Sequence, residues 1–275
     1  MITHTQMTSM ISALRASRKY RQMELPEEML WDILASLAPN YSSAPTLEKA
    51  FRQKVHNVIA PYLEDIDYGN EFQKASDLQQ QSASLAQVKT WATELMQKHA
   101  STRERLPHLD EFCAYLTPYI DQANLILDLA CALDPLMLPW LHLPPDCKFV
   151  AYDVNKPRID LLNAFFSISW PNATAIQQDI LLSPPSDHAN CVLLLKETHR
   201  LEKRQPGSSR RLFEQLQADV LIVSLPAEDL SGHHSLTEYH SRLIRDAVGP
   251  NPWPVVQSQI GNELIFVIEK AGHHG

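Results

Sequence analysis

Residues 125–138 read LILDLACALDPLML: an apolar run ends in an acid, Asp128, and passes at once into a turn of Ala-Cys-Ala-Leu-Asp-Pro. This is how the first strand of a nucleotide-binding α/β domain meets its first loop. The loop contains no glycine, and the 275-residue chain has only 7 glycines against 19 prolines. Backbone that must close over a phosphate needs glycine. The bend therefore predicts a ligand without a pyrophosphate.

After residue 120, β-rich runs at LILDLAC, KFVAYDV, ATAIQQDI, NCVLLLK and DVLIVSLP alternate with helical stretches, the pattern of a parallel, doubly wound α/β sheet. The last two runs, VVQSQIG and NELIFVIEK, meet at a tight Gly261-Asn262 turn and predict an antiparallel hairpin. A Rossmann-like parallel core finished by a C-terminal antiparallel hairpin resembles the plan of class I S-adenosylmethionine (SAM)-dependent methyltransferases. Before residue 110 the apolar spacing is helical throughout, in MLWDILASL, LEKAFRQKVHNVIAPYL and SLAQVKTWATELMQKHA. The expected organisation is an all-helical subdomain over 1–110 and a SAM-binding domain over 111–275.

Composition narrows the class further. A hydrophobic fraction of 44% and a charged fraction of 20% describe a soluble globular chain. No apolar run approaches the roughly 20 residues of a membrane span, and MITHTQMTSM lacks the basic start and apolar stretch of a secretory signal. Cys113, Cys131, Cys147 and Cys191 form no CxxC pair and no zinc spacing, so unpaired thiols in a reducing cytoplasm are expected. The net charge of −8 argues against general nucleic-acid affinity, yet two stretches run the other way. Residues 13–21 carry Arg15, Arg18, Lys19 and Arg21 with no acid, and 196–211 carry six Lys or Arg against two Glu. Each is read equally as a solvated helix face or as an RNA contact.

Acids mark three successive strand ends: Asp128, Asp153 and Asp179. In open α/β sheets the ligand lies beyond these ends. SAM carries an ammonium and a sulfonium but no phosphate. A carboxylate after the second strand suits its ribose diol, and one after the third suits its adenine amino group. A single such acid is as readily a helix cap or turn former; three in this order point to a SAM site.

HASTRERLPHLDEF (99–112) resembles the HAST(K/R)ER segment of the aminoglycoside-resistance 16S ribosomal RNA methyltransferases of the Arm/Rmt type. SRKYR (17–21) is similar to that family's SKKYR, LDLACALDPL (127–136) to LDIACGLNPL, LEKRQPGS (201–208) to LEREQAGS, VSLP (223–226) to VSFP, and GNELIFVIEK (261–270) to GTELIYLIKK. The resemblance implies methylation of guanine N7 in the decoding A site of 16S rRNA, on the 30S subunit, with SAM as donor; a monomer without metal is expected. It implies that Arg105 grips the SAM carboxylate, that Asp153 binds the ribose, and that Gln178 and Asp179 face the adenine. Asp128, Ala130, Val154 and Leu195 complete the expected cofactor set. Arg18, Lys19 and Arg21, together with Lys196, Arg200, Lys203 and Arg204, are the expected RNA contacts.

The chain departs from the pattern at several points. Ala132 stands for the motif glycine and Asp134 for its asparagine, Thr198-His199 for Leu-Pro, and the loop 231–239 lacks the family's cations. Guanine N7 has an exposed lone pair, so no general base is expected; rate comes from alignment and desolvation. Extracting the target base costs a few kcal/mol, which a stacking side chain offsets; Tyr20, Trp140 and Tyr239 are the candidates. Glu197 with His199 reads either as an acid–base pair or as a solvated turn. His233-His234 and His273-His274 lack a third ligand at metal spacing. Two other functions stay open at this stage: methylation of another RNA or a small molecule, and a non-catalytic SAM- or RNA-binding module.

Overall fold

Each β-rich run after residue 120 becomes a strand of one sheet in the computed structural model, which describes residues 2–59, 66–229 and 234–270. The strands are β1 (Leu125–Leu129), β2 (Lys148–Asp153), β3 (Ala173–Gln177), β4 (Ala189–Leu195), β5 (Ala218–Pro226), β6 (Val255–Ile260) and β7 (Glu263–Glu269). Their order is β3-β2-β1-β4-β5-β7-β6. β1 to β5 are parallel, and β7 runs antiparallel between β5 and β6. The chain reverses its direction across the sheet between β1 and β4, which opens a crevice at the strand ends there. Gly261 turns the hairpin at φ +53°, and a Cβ on it would lie 2.4 Å from Cδ2 of His108. The positive φ favours glycine, while the crowding is with a half-exposed histidine side chain that can move.

The α-helices among the described residues are α1 (His4–Arg15), α2 (Glu27–Leu37), α3 (Ala44–Ile59), α4 (Tyr68–Gln80), α5 (Leu85–Met96), α6 (Ala100–Arg105), α7 (Leu109–Ile120), α8 (Lys156–Ser169), α9 (Thr198–Arg204), α10 (Ser208–Gln215) and α11 (Thr237–Val248). Polar side chains start several of them. Thr3 with Gln6 and Ser84 with Gln87 form reciprocal capping boxes, and Asn155 caps α8. On one face of the sheet, α4, α5, α7 and α8 bury Val88, Phe112 and Phe165 against Phe149 and Leu193. On the other, α10 and α11 bury Phe213 and Ile244 against Leu221 and Phe266. With both faces covered, the inner strands are apolar almost throughout.

Helices α1 to α3 have a core of their own around Leu14, Leu30 and Phe51. The helical character that reaches residue 110 in the sequence thus spans two packing units, since α4, α5 and α7 share the core of the sheet. Helical periodicity reports an apolar face but not the surface it meets. Polar contacts tie the first unit to the strand ends: Gln177 Nε2 donates to Glu24 O at 2.7 Å, and the N–H of Lys156 to Met23 O at 3.2 Å.

Candidate functional site

The bend after β1 holds two non-glycine residues in the left-handed region, Ala130 (φ 50°) and Ala132 (φ 47°). Each costs about 1 kcal/mol or more, so the surroundings must fix them. The N–H of Cys131 donates to Tyr152 O at 2.9 Å, and the N–H of Ala132 donates to Asp153 Oδ2 at 3.0 Å. In a glycine-rich loop that second amide would face a phosphate. Here a carboxylate of the chain takes it.

Asp153, at the end of β2, also receives the N–H of Asn155 on Oδ1 (2.8 Å) and Arg158 Nη1 on Oδ2 (2.9 Å). Arg158 is buried and donates its Nε to the hydroxyl of Tyr68 at 3.0 Å. Oδ2 is thereby saturated, while Oδ1 keeps a lone pair for an outside hydroxyl. Asp179 lies two residues beyond β3. Its Oδ1 accepts the N–H of Leu181 at 3.0 Å, and its Oδ2 stands 2.6 Å from Nη2 of Arg204. Gln178 is half-buried and donates to Ser183 O at 2.5 Å.

Ala130, Asp153, Val154, Gln178 and Asp179 line one cavity of about 780 Å³, whose far wall is formed by Met23, Met29 and Ile59 of the first helical unit. A second cavity of about 650 Å³ shares Ala130, Glu197, His199, Arg200 and Lys203 with it, and extends past Leu195 and Lys196 to Tyr239. The two spaces adjoin at the ends of β1 and β4. Tyr239, 55% exposed, stands at the lip of the second. Tyr20 is instead buried in the first helical core, and Trp140 is packed against the sheet core beneath Lys89.

Arg105 and Asp128 lie behind the cavity walls, both fully buried. Arg105 donates Nε and Nη2 to the two oxygens of Glu263 at 3.0 and 2.7 Å, and Nη1 to Asp134 at 2.5 Å. Neither oxygen of Asp128 accepts a hydrogen bond. Burial, reinforced by the neighbouring Asp134, pushes the Asp128 carboxyl well above the ordinary carboxylate range. Burial likewise raises Asp134 against the pull of Arg105. Glu263 ends below the usual range, because Arg105 and Lys196 outweigh the burial that opposes them.

The cations expected on the RNA side separate into two groups. Arg18, Lys19 and Arg21 are exposed on turns over 16–23, and Lys203 is exposed on α9 between the two cavities. Arg200 is half-buried, 3.8 Å from Glu197. Lys196 and Arg204 are turned inward. Lys196 pairs with Glu104 at 2.8 Å and lies 3.7 Å from Glu263, while Arg204 joins Asp179 to Asp32 of α2 (3.3 Å). Neither is a solvated cation. Glu197 is buried, and His199 packs its ring 5.5 Å from that of His240. Burial, then Arg200, drops the His199 imidazole to about 3, and burial lowers His240 as well. Both rings are neutral hydrogen-bonding groups at neutral pH. Residue 233 of the His233-His234 pair and both His273 and His274 lie outside the described residues.

Arg158 and Asn155, which fix Asp153, were signalled only by their placement in the first turn after that acid. The wall given by Met23, Met29 and Ile59 has no local signal at all.

The chemistry of this donor set fits SAM at its nucleoside end, where Asp153 keeps an acceptor site open beside a phosphate-free bend. Asp128, fully buried and lining neither cavity, keeps two carboxyl oxygens without a partner, a polar group that a cationic ligand end would satisfy.

A family model described as "Ribosomal RNA methyltransferase (FmrO)" matches residues 16–267. The chain is 27% identical over 261 residues to the 16S rRNA (guanine(1405)-N(7))-methyltransferase of Micromonospora rosea, with 94% of each chain covered. It is 26% identical over 263 residues to the enzyme of the same name from Serratia marcescens, covering 95% of this chain and 98% of that one. Among solved structures it is similar to the 16S rRNA methyltransferase RmtF in complex with S-adenosyl-L-homocysteine, with a TM-score of 0.78 and 25% identity over 98% of this chain and all of that one (100%). It shares the fold of the 16S rRNA methylase RmtB, with a TM-score of 0.76 at 23% identity over 96% and 98% of the two chains. The chain belongs to the FmrO family of ribosomal RNA methyltransferases.

Proposed function

We propose that the protein transfers a methyl group from SAM to N7 of a guanine in the decoding A site of 16S rRNA, on the 30S subunit, and so confers aminoglycoside resistance. It does so in the cytoplasm as a monomer. The observation that carries this reading is the pair of adjoining cavities at the ends of β1 and β4. One is edged by Asp153 and Asp179 without a phosphate-binding loop; the other opens to an exposed aromatic ring, Tyr239.

SAM, when bound, supplies an electrophilic methyl group on a sulfonium. Asp153 accepts from the ribose through the lone pair left on Oδ1, Gln178 and Asp179 face the adenine, and Asp128 takes the ammonium. Ala130, with Leu195, forms the partition beside which the guanine is held in line. N7 attacks with its own lone pair, so no residue needs to remove a proton. The neutral rings of His199 and His240 suit a wall that offers hydrogen bonds without competing positive charge. Tyr239 stacks on the extracted base and offsets part of the few kcal/mol of unstacking.

Arg18, Lys19, Arg21, Arg200 and Lys203 contact rRNA phosphates, and residues 1–110 supply the docking surface. Lys196 and Arg204 hold the strand-end loops in position. A chain with a net charge of −8 relies on local cations and on the shape of a folded partner. Incubation with labelled SAM and purified 30S subunits, followed by aniline cleavage to map N7 methylation, tests the proposal. Cleavage at one decoding-site guanine is expected; no transfer to 30S while SAM still binds would contradict it.

A further inference from the structure

Arg105 has two carboxylates already. Glu263 takes its Nε and Nη2, Asp134 takes its Nη1, and Phe112 covers the guanidinium at 4.4 Å from its ring centre. Three of its five N–H groups are therefore committed, and two donors remain. Donors are not the limit on a third carboxylate; charge is. The groups facing this cluster from every packed element are Arg105 and Glu104 on α6, His99 just before it, Cys113 on α7, Asp128 on β1, Asp134 after the bend, Lys196 after β4 and Glu263 on β7. Two permanent cations meet four acids. A ligand carboxylate entering here meets like charge in a buried setting, where it is costly.

The two acids on Arg105 are not equivalent. Glu263 is held by both Arg105 nitrogens and by the Ser224 hydroxyl at 2.5 Å, with Lys196 nearby. Asp134 makes one contact to the guanidinium and stands where the related motif has an uncharged asparagine. Asparagine keeps that hydrogen bond and brings no charge.

We infer that Asp134 competes with the carboxylate of SAM for Arg105, so that this protein holds the nucleoside end of the donor firmly and its amino-acid end weakly. This rests on the reading of the cleft as a SAM site and of Arg105, behind its wall, as the group that meets the donor's carboxylate. Asp134 is a specificity-setting residue: it narrows the margin by which SAM is preferred over an analogue lacking the carboxylate. A protonated Asp134 relieves the competition, so the capture of SAM strengthens as pH falls.

Calorimetric titration of the full chain and of Asp134→Asn with SAM, S-adenosylhomocysteine and decarboxylated SAM tests the inference. The substitution should tighten SAM and S-adenosylhomocysteine by about tenfold, the scale of one charge-assisted hydrogen bond, and leave decarboxylated SAM unchanged. The unaltered protein gives a second reading that no folding defect can spoil. Its preference for SAM over decarboxylated SAM should grow as pH falls, and should grow equally in His99→Gln, which removes the histidine that faces Asp134. Equal tightening of all three ligands, or no change in either comparison, overturns the inference while leaving the cleft intact. No binding of any ligand by either protein removes the cleft reading itself, and the inference with it.

Discussion

The backbone N–H of Ala132 donates to Oδ2 of Asp153 at 3.0 Å, so one hydrogen bond locks the bend after β1 to the end of β2. The same carboxylate neutralises Arg158, whose side chain is 1% exposed. Removing the acid takes one ion pair from a buried guanidinium that keeps its bond to the Tyr68 hydroxyl. Asp153→Ala should lower the unfolding free energy by about 1–3 kcal/mol and weaken SAM by at least tenfold. Urea denaturation and calorimetry measure both; a loss of stability below about 1 kcal/mol would show that the pair is not structural.

Ala132 pays for its left-handed backbone, with φ at 47°. Glycine adopts this conformation without a steric penalty, though it adds entropy to the unfolded chain. Ala132→Gly should therefore be neutral or stabilising by up to about 1 kcal/mol. A clear destabilisation in urea melts would mean that the methyl group packs usefully and that the strain is small.

His199 sets a pH dependence of known sign. Burial first, and Arg200 second, lower its folded pKa to about 3, while the unfolded value is about 6.5. Between these values the unfolded chain binds the extra proton, so stability is complete above about 6.5 and is lost as pH falls. By pH 5 the loss reaches about 2 kcal/mol. His240, lowered by burial, acts in the same direction. The buried acids Asp128 and Asp134, both raised, act in the opposite one. A comparison with His199→Gln isolates the histidine: the variant's urea midpoint should fall less between pH 7.5 and pH 5. An identical fall in both proteins would contradict the assignment.

Much of this was legible in the sequence. Alternating β-rich runs and a Gly261-Asn262 turn were enough to anticipate the parallel sheet and its closing hairpin, because strand and turn chemistry are local. The acids Asp153 and Asp179 announced the cleft by standing at or next to strand ends, whereas Asp128, inside β1, is buried behind it. What each acid pairs with was not legible. Arg105 and Glu263 are 158 residues apart, and Arg204 and Asp32 are 172 apart; no periodicity reports such a meeting. The basic run 196–211 read as one patch for the same reason. On a helix as short as α9, exposed Lys203 is followed directly by Arg204, which turns inward.

That last pair yields a contrast. Lys203→Ala should weaken binding to 30S subunits and flatten its dependence on log salt by about one unit, with stability unchanged. Arg204→Ala should lower stability by about 3 kcal/mol, through the unpaired Asp179, and leave the salt slope nearly unchanged. Filter binding across a salt series, paired with thermal melts, separates the two. A steeper effect of Arg204 than of Lys203 on the salt slope would reverse their roles.

The claim beneath all of these is that a glycine-free bend and strand-end carboxylates hold a donor that has no phosphate. Calorimetric titration with SAM, then with NAD as competitor, measures it directly. The account predicts saturable binding of one SAM per chain that millimolar NAD does not displace; binding of NAD without binding of SAM would contradict it.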